Sequence, residues 1–239
     1  MFDYILIGIV QGIFEWLPIS SEGVISILSS FLGDYNPIDI AVFVHLGTMF
    51  SALVYFRKDI FKILTKDKKT FNFLVIATCI SLIIGFLFYN LIQSILIGKI
   101  LLLLTALGLF ITSYFHLTKK SINISFRKLG IITGVLQGLS IIPGVSRSGS
   151  TIFSLSLGDL KPNEILKLSY IMSIPVVIVS SVYILIKDNI IINAWPSIIV
   201  SFIVGLIFLN ILLKVCQKIN FSLFTFIFGI LCILGYLII

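Results

Sequence analysis

Apolar residues occur along this chain in long runs, and six of these runs are long enough to cross a membrane. An α-helix needs about 20 apolar residues to span a hydrocarbon core of ~30 Å. The six runs are Ile38–Phe56, Phe71–Leu91, Ile100–Leu117, Leu166–Ile186, Trp195–Leu213 and Phe221–Ile239. The pattern therefore predicts an all-α membrane protein with six transmembrane helices.

Two further segments break this pattern, because each places polar residues and a proline inside an apolar stretch. The first runs from Gly8 to Gly23 and the second from Gly134 to Gly149. Both read Gly-x-x-Gln-Gly, then an apolar turn, then Pro, Ser and Gly, before a short apolar run resumes. Helix, break and short helix are typical of a re-entrant hairpin, whose broken backbone must be covered by protein or water.

The two hairpins divide a single membrane domain, 1–239, into repeat 1 (1–118) and repeat 2 (129–239). Each repeat holds one hairpin and three spans. Because three is odd, the second repeat enters the membrane in the opposite orientation, and the hairpin tips meet near the midplane. The predicted fold is all-α and polytopic, with six transmembrane helices plus two re-entrant helical hairpins in an inverted-topology repeat.

Composition and charge place this fold in the plasma membrane and orient it. Only 11% of the residues are charged and the mean hydropathy is +1.18, whereas a soluble domain carries roughly 25% charged residues. Of the 17 Lys and Arg residues, 14 lie on one side of the six alternating spans. The positive-inside rule then predicts extracytoplasmic termini. The net charge of +7 lies mainly in these loops, which argues against a nucleic-acid partner.

Acidic and imidazole groups within the first half are the first candidates for chemistry. Gln11 and Glu15 lie four residues apart and share one face of the first hairpin helix. A carboxylate in an apolar segment costs about 2.5–3.5 kcal/mol on insertion scales and usually marks a pathway or a site. Glu22 is either a second candidate for the catalytic acid or a residue at the outer membrane–water interface. His45 lies within a span, where a catalytic role and a hydrogen-bonded core role both remain open.

The run Pro143–Thr151 is the most specific local signal. Its glycines permit a tight loop whose backbone N–H groups converge on an anion, and a short helix beginning near Ser150 adds the positive end of its dipole. Arg147 supplies a cationic fork suited to phosphate oxygens, and hydroxyls come from Ser146, Ser148 and Thr151. We interpret the run as a phosphate-binding loop. Pairing of Arg147 with Glu15, to hold the hairpins together, is an alternative compatible with it.

These segments resemble the undecaprenyl pyrophosphate phosphatase family, the bacitracin-resistance type of integral membrane phosphatase. Gln11–Glu15 matches the E/Q-x-x-x-E motif, Pro18–Ser21 the P-x-S-S that follows, and Pro143–Thr151 the P-G-x-S-R-S-G-x-T motif. The resemblance implies hydrolysis of undecaprenyl (polyprenyl) diphosphate to the monophosphate and inorganic phosphate. That reaction recycles the lipid carrier for cell-envelope glycan synthesis, at a site open to the outer face.

The resemblance also implies roles, a cofactor and partners. The candidates for catalysis are Glu15, Ser21, Arg147 and, as our own addition, His45. The candidates for substrate binding are Ser20, Gly144, Ser146, Ser148, Gly149 and Thr151. A divalent cation, Mg²⁺ or Ca²⁺, is expected at Gln11 and Glu15. The partners are the lipid diphosphate and the bilayer, and a homodimer is compatible with the sequence.

The chain departs from the family at two positions. Val24 stands where the family usually has a histidine, and Phe228 where an arginine is common. His45, at a position more often Gln, is our candidate for part of the lost histidine's role, with Glu22 as the other. Two alternative functions remain at this point. One is a transporter or flippase for a phosphate-bearing lipid or anion, and the other is a catalytically weakened relative with a regulatory or resistance role.

Overall fold

The computed structural model describes residues 2–18, 21, 24–25, 28, 37–92, 98–118, 124–141, 145–187, 193–216 and 220–238. Within these residues the chain forms ten α-helices and no strand. They are α1 (Phe2–Phe14), α2 (Pro37–Tyr55), α3 (Arg57–Thr65), α4 (Lys68–Ile92), α5 (Gly98–Thr118), α6 (Phe126–Leu139), α7 (Arg147–Ser156), α8 (Pro162–Lys187), α9 (Trp195–Cys216) and α10 (Phe221–Ile238). The predicted all-α polytopic class is confirmed.

Each of the six predicted apolar runs coincides with a helix, but fewer helices qualify as spans by length and composition. Among the described residues, Lys68–Phe88, Pro162–Ile186 and Trp195–Val215 are long and apolar enough to cross a membrane. The pair α2 and α3 makes a fourth candidate if it is counted as one span, although it is bent by 72°. The chain is therefore a multi-pass membrane protein, and the count of six spans plus two hairpins stays a prediction.

The first helix of each polar segment packs against a long helix from the other half of the chain. The helix α1 contacts α9, and α6 contacts α4. A Cβ on Gly12 would lie 2.7 Å from Val204 Cβ, and one on Gly138 would lie 2.7 Å from Ile84 Cβ. Glycines four residues apart let helices approach this closely, so the duplicated glycines have a packing role.

Two further contacts between the halves join helices that hold equivalent places in the two predicted repeats. The first long helices, α2 and α8, contact each other, and so do the third ones, α5 and α10. Contacts between equivalent helices of the two halves are what an inverted repeat would produce. The boundaries proposed for the two repeats stay predictions.

The two polar segments interrupt their helices as expected, with one correction. The helix α1 ends at Phe14, residues 15–18 are not helical, and Ser21 is helical again. In the second segment α7 begins at Arg147 and not near Ser150, because Ser146 caps it and its Oγ accepts a hydrogen bond from Gly149 N at 3.1 Å. Arg147–Thr151 therefore forms the first turn of a helix and is not part of a loop.

Candidate active site

Glu15 is the residue at which the two polar segments and α2 meet. It directly follows α1 and is only 5% exposed. Its Oε2 accepts hydrogen bonds from Gln11 Nε2 at 3.0 Å and Ser21 Oγ at 2.9 Å, and lies 2.9 Å from His45 Nε2. Its Oε1 accepts a hydrogen bond from Arg147 Nη2. Both oxygens of this buried carboxylate thus have protein partners in place of water.

The ring of His45 is oriented by the backbone of its own helix. In α2, His45 Nδ1 lies 2.6 Å from the Ala41 carbonyl oxygen. A carbonyl only accepts, so Nδ1 carries a hydrogen and Nε2 is the nitrogen that faces Glu15. The contact between Nε2 and the carboxylate is then a hydrogen bond only when one of the two groups holds an additional proton. His45 and Glu15 form a pair that can hold and release one proton.

Gln11 connects this pair to a residue that the sequence did not single out. Its Nε2 also donates to Thr48 Oγ1 at 3.3 Å, and Thr48 Oγ1 donates to the carbonyl oxygen of His45 at 3.1 Å. Gln11 Oε1 is buried and has no hydrogen-bond partner among the described residues. The sequence feature that could have identified Thr48 is its position three residues after His45, on the same face of α2.

Arg147, the first residue of α7, links the two polar segments to α8. Its guanidinium contacts Glu15 through Nη2, and its Nη1 donates to the Ser169 carbonyl oxygen at 3.2 Å. Its side chain is 15% exposed. The alternative in which Arg147 pairs with Glu15 is therefore what the structure shows, and this pair joins the two polar segments. A phosphate-binding role for the same guanidinium stays a prediction.

The predicted phosphate-binding hydroxyls lie in the same first turn, and each is engaged within the protein. Ser148 Oγ donates to the Leu17 carbonyl oxygen at 2.8 Å, which joins the second polar segment to the first. Thr151 Oγ1 lies 2.6 Å from Ser169 Oγ, and Ser146 Oγ lies 3.2 Å from Ser148 Oγ. The sequence did not point to Ser169, although its four-residue spacing from Ser173 in α8 marks a polar stripe.

The segment that follows Glu15 is fixed against α8 by an aromatic pair. Tyr170 OH donates to the Trp16 carbonyl oxygen at 2.6 Å, and the two rings meet edge to face with centroids 5.1 Å apart. Both side chains are buried. This contact restrains the backbone next to the carboxylate, a support that motif spacing did not predict.

Three candidates lie outside the described residues: Ser20, Glu22 and Gly144. The two positions at which the chain departs from the family are described. Val24 is helical and half-buried, and Phe228 packs against the cluster that contains Trp16. Neither side chain can donate or accept a proton. Among the described residues, His45 is therefore the imidazole that reaches Glu15.

A cavity of about 310 Å³ adjoins the site. His45 and Arg147 line it, together with Gln137 and four serines: Ser81 of α4, Ser140 directly after α6, and Ser173 and Ser180 of α8. Most of the other lining residues are apolar, including Leu82 and Phe86 of α4 and Val179 of α8. A mainly apolar cavity with a few convergent polar groups suits an amphipathic ligand.

Comparisons with known proteins give matches that cover nearly the whole chain. Residues 4–234 match the family model described as Bacitracin resistance protein BacA. The chain is similar to the undecaprenyl-diphosphatase of Haloarcula marismortui, with 31% identity over 98% of this chain and 97% of the relative. It is 32% identical to that of Methanococcoides burtonii, over 97% of each chain. It is 33% identical to that of Sulfurisphaera tokodaii, over 96% of this chain and 94% of the relative.

Proposed function

Since the chain belongs to the family of the bacitracin resistance protein BacA, we propose that it hydrolyses undecaprenyl diphosphate to undecaprenyl phosphate and inorganic phosphate. The observation that carries the proposal is the meeting of Glu15, His45 and Arg147 at a largely apolar cavity. The transporter alternative is not supported, because the relatives compared above are all named undecaprenyl-diphosphatase.

In this proposal the diphosphate headgroup binds at Arg147 and the polyprenyl chain occupies the cavity. The guanidinium is planar, permanently charged and able to contact two phosphate oxygens at once. The N-terminus of α7 adds partial positive charge at the same place. Both features favour an anion and stabilise negative charge on the phosphoryl group as it is transferred.

The pair of Glu15 and His45 handles the proton. An oxygen nucleophile attacks the terminal phosphorus, the bond to the bridging oxygen breaks, and undecaprenyl phosphate leaves with that oxygen and its electron pair. Ser21 Oγ donates to Glu15 Oε2 at 2.9 Å, so the carboxylate can accept a proton from Ser21 or from water in its place. If Ser21 attacks, water cleaves the phosphoserine in a second step.

The expected Mg²⁺ or Ca²⁺ does not fit these residues as they are arranged. Among the described residues no group of three or more His, Cys, Asp and Glu side chains is placed to hold a metal. Glu15 is engaged on both oxygens, one of them by a cationic guanidinium. The steps proposed above therefore rest on the protein's own groups.

We further propose that the lipid reaches the site from the outer leaflet. The basic residues Lys68 and Lys167 mark the inner ends of α4 and α8, as the positive-inside rule requires. The cavity-lining residues of these helices, 81–86 and 173–184, lie farther from those ends. Phe86 is 62% exposed and Tyr183 is 40% exposed, so the cavity wall continues to the lipid-facing surface.

The test is phosphate release from undecaprenyl diphosphate by the purified protein in detergent, with Mg²⁺ or Ca²⁺ and with EDTA. We expect release by the wild-type protein and only background release by Glu15→Gln. Absence of release by the wild-type protein under every cation condition, with the lipid still bound, would contradict the proposed function.

A further inference from the structure

A second groove lies between α4 and α6, at the end of the molecule where both helices begin. It has a volume of about 500 Å³, and Lys69 of α4, Arg127 of α6 and the amide of Asn72 line it. None of its lining residues lines the cavity beside Glu15. We propose that this groove binds the phosphate of an anionic phospholipid, at a site that does not depend on the proposed hydrolysis.

The groove lies at one membrane surface because α4 and α6 run parallel and begin side by side. Gly130 of α6 lies against Phe73 of α4, and Gly138, farther along α6, lies against Ile84, farther along α4. The segment Lys68–Phe88 of α4 is long and apolar enough to span the membrane, so its first turn lies at the interface with water. The positive ends of both helix dipoles therefore lie at the same membrane surface.

The two cations of the groove are not neutralised by a carboxylate. Among the described residues, neither Lys69 nor Arg127 forms an ion pair. Lys69 Nζ instead lies 5.0 Å from the centre of the Phe126 ring, another wall of the groove. Asp67, the acid just before α4, accepts hydrogen bonds from Thr70 with both carboxylate oxygens. The groove therefore carries positive charge that an anion can neutralise.

The other end of the groove is apolar and continues to the lipid-facing surface. Val75 and Ile76 line it, and Val75 is 44% exposed. Ile76 follows Lys69 by seven residues of helix, or about 10 Å along the axis. A lipid phosphate at the basic end thus places its acyl chains beside the apolar wall, whereas a free phosphate would leave that wall uncovered.

The position of the groove in the membrane also favours an anionic lipid. Its basic end is on the side that the positive-inside rule assigns to the cytoplasm. The cytoplasmic leaflet carries anionic lipids, and basic pockets between membrane helices on that side bind their headgroups.

Native mass spectrometry of the protein in detergent tests the inference by counting bound lipid. Dioleoyl phosphatidylglycerol is compared with dioleoyl phosphatidylcholine, which has the same acyl chains and a phosphate but no net charge. We expect wild type to bind one phosphatidylglycerol in preference to phosphatidylcholine. The double variant Lys69→Gln, Arg127→Gln should bind it about 30-fold more weakly, because each cation near a membrane surface contributes about fivefold. The control Lys58→Gln, Lys62→Gln removes two exposed cations from α3 and should bind as wild type.

A single substitution keeps the test decisive if the double variant does not fold. Asn72→Asp changes one exposed groove residue at constant size and places a carboxylate beside the lipid phosphate. We expect it to lose phosphatidylglycerol while its melting temperature in detergent equals that of wild type. The charge-preserving exchange Lys69→Arg, Arg127→Lys should retain the lipid.

Four results would overturn the inference. They are equal binding of the two lipids by wild type, equal losses in the two Lys and Arg to Gln double variants, unchanged binding in Asn72→Asp, and displacement of phosphatidylglycerol by an equal concentration of glycerol phosphate. The last result would assign the groove to a soluble phosphate compound and not to a lipid.

Discussion

His45 Nε2 lies 2.9 Å from Glu15 Oε2, while Nδ1 of the same ring lies 2.6 Å from the Ala41 carbonyl oxygen. The backbone contact fixes which nitrogen faces the carboxylate. Although position 24 is valine, the protein thus still places an imidazole, that of His45, beside Glu15. The geometry supports our hypothesis that His45 takes over part of the role of the missing histidine.

This hypothesis predicts that His45→Gln lowers kcat about 100-fold, because the amide keeps a hydrogen bond to Glu15 but cannot transfer a proton. We expect KM to change little, since the phosphate-binding groups are untouched. Phosphate release under saturating lipid is the measurement, and His116→Gln is the control. Full activity in His45→Gln, together with loss of activity in Glu15→Gln, would refute a catalytic role for His45.

Arg147→Lys tests the guanidinium as the phosphate ligand. Lysine keeps the positive charge but loses the planar fork that can hold two oxygens. We expect kcat/KM to fall at least about 100-fold, as for other arginines that stabilise phosphoryl transfer. The same substitution at the exposed Arg127 should leave kcat/KM unchanged. An Arg147→Lys variant with wild-type kcat/KM would show that charge alone is sufficient.

Periodicity and motif spacing were enough to predict the helices and most of the site. The apolar runs determine which segments form long helices, and Gln11, Glu15 and Arg147 are recognisable because polar groups are rare in such segments. The contacts of Arg147 and Thr151 with Ser169 were not predictable in the same way. Ser169 is brought to them by the packing of α7 against α8, which no local spacing encodes.

The start of α7 shows a second limit of sequence reasoning. Glycine and serine in the run from residue 143 to 151 favour a loop by propensity, so the helix was expected to begin near Ser150. Ser146 instead accepts a hydrogen bond from the backbone of Gly149 and initiates the helix at Arg147. A capping interaction outweighs the low helix propensity of the residues that follow it.

The close approach of α6 and α4 predicts the effect of Gly134→Ala. A Cβ at this position would lie 2.7 Å from the Ala77 carbonyl oxygen, a backbone atom that cannot rotate away. We expect a loss of about 1–3 kcal/mol in stability, seen as a lower melting temperature in detergent. Gly85→Ala in α4 is the matched control, because its nearest neighbour would be 3.9 Å away. Equal melting temperatures for the two variants would contradict this packing.

Asp67 provides a prediction on pH. Hydrogen bonds from the backbone N–H and the hydroxyl of Thr70 hold the pKa of Asp67 below its ordinary value of 3.8. A lowered carboxyl pKa stabilises the fold above the unfolded-state pKa and ceases to do so as pH falls through the folded-state pKa. Asp67→Ala, which removes this cap of α4, should lower stability by about 1 kcal/mol at neutral pH.

Melting curves over a pH series check this prediction. The difference between wild type and Asp67→Ala should be constant near neutral pH and shrink below about pH 4. The control is Asp159→Ala, at an exposed position away from this cap. A difference between wild type and Asp67→Ala that does not change down to strongly acidic pH would exclude the ionised carboxylate as the cause.

Chain-length selectivity is the sharpest test of the cavity as the site of the polyprenyl chain. A Cβ on Gly85 meets nothing closer than 3.9 Å, so Gly85→Phe can place its ring in the cavity without a backbone clash. We expect KM for undecaprenyl diphosphate to rise about tenfold, corresponding to ~1.4 kcal/mol. Isopentenyl diphosphate is too short to need the cavity, so we expect Gly85→Phe and wild type to have the same KM for it. Gly108→Phe, equally open at its Cβ but outside the cavity lining, should change neither value. Equal losses on both substrates in Gly85→Phe would mean that the ring disturbs the catalytic groups and that the chain binds elsewhere.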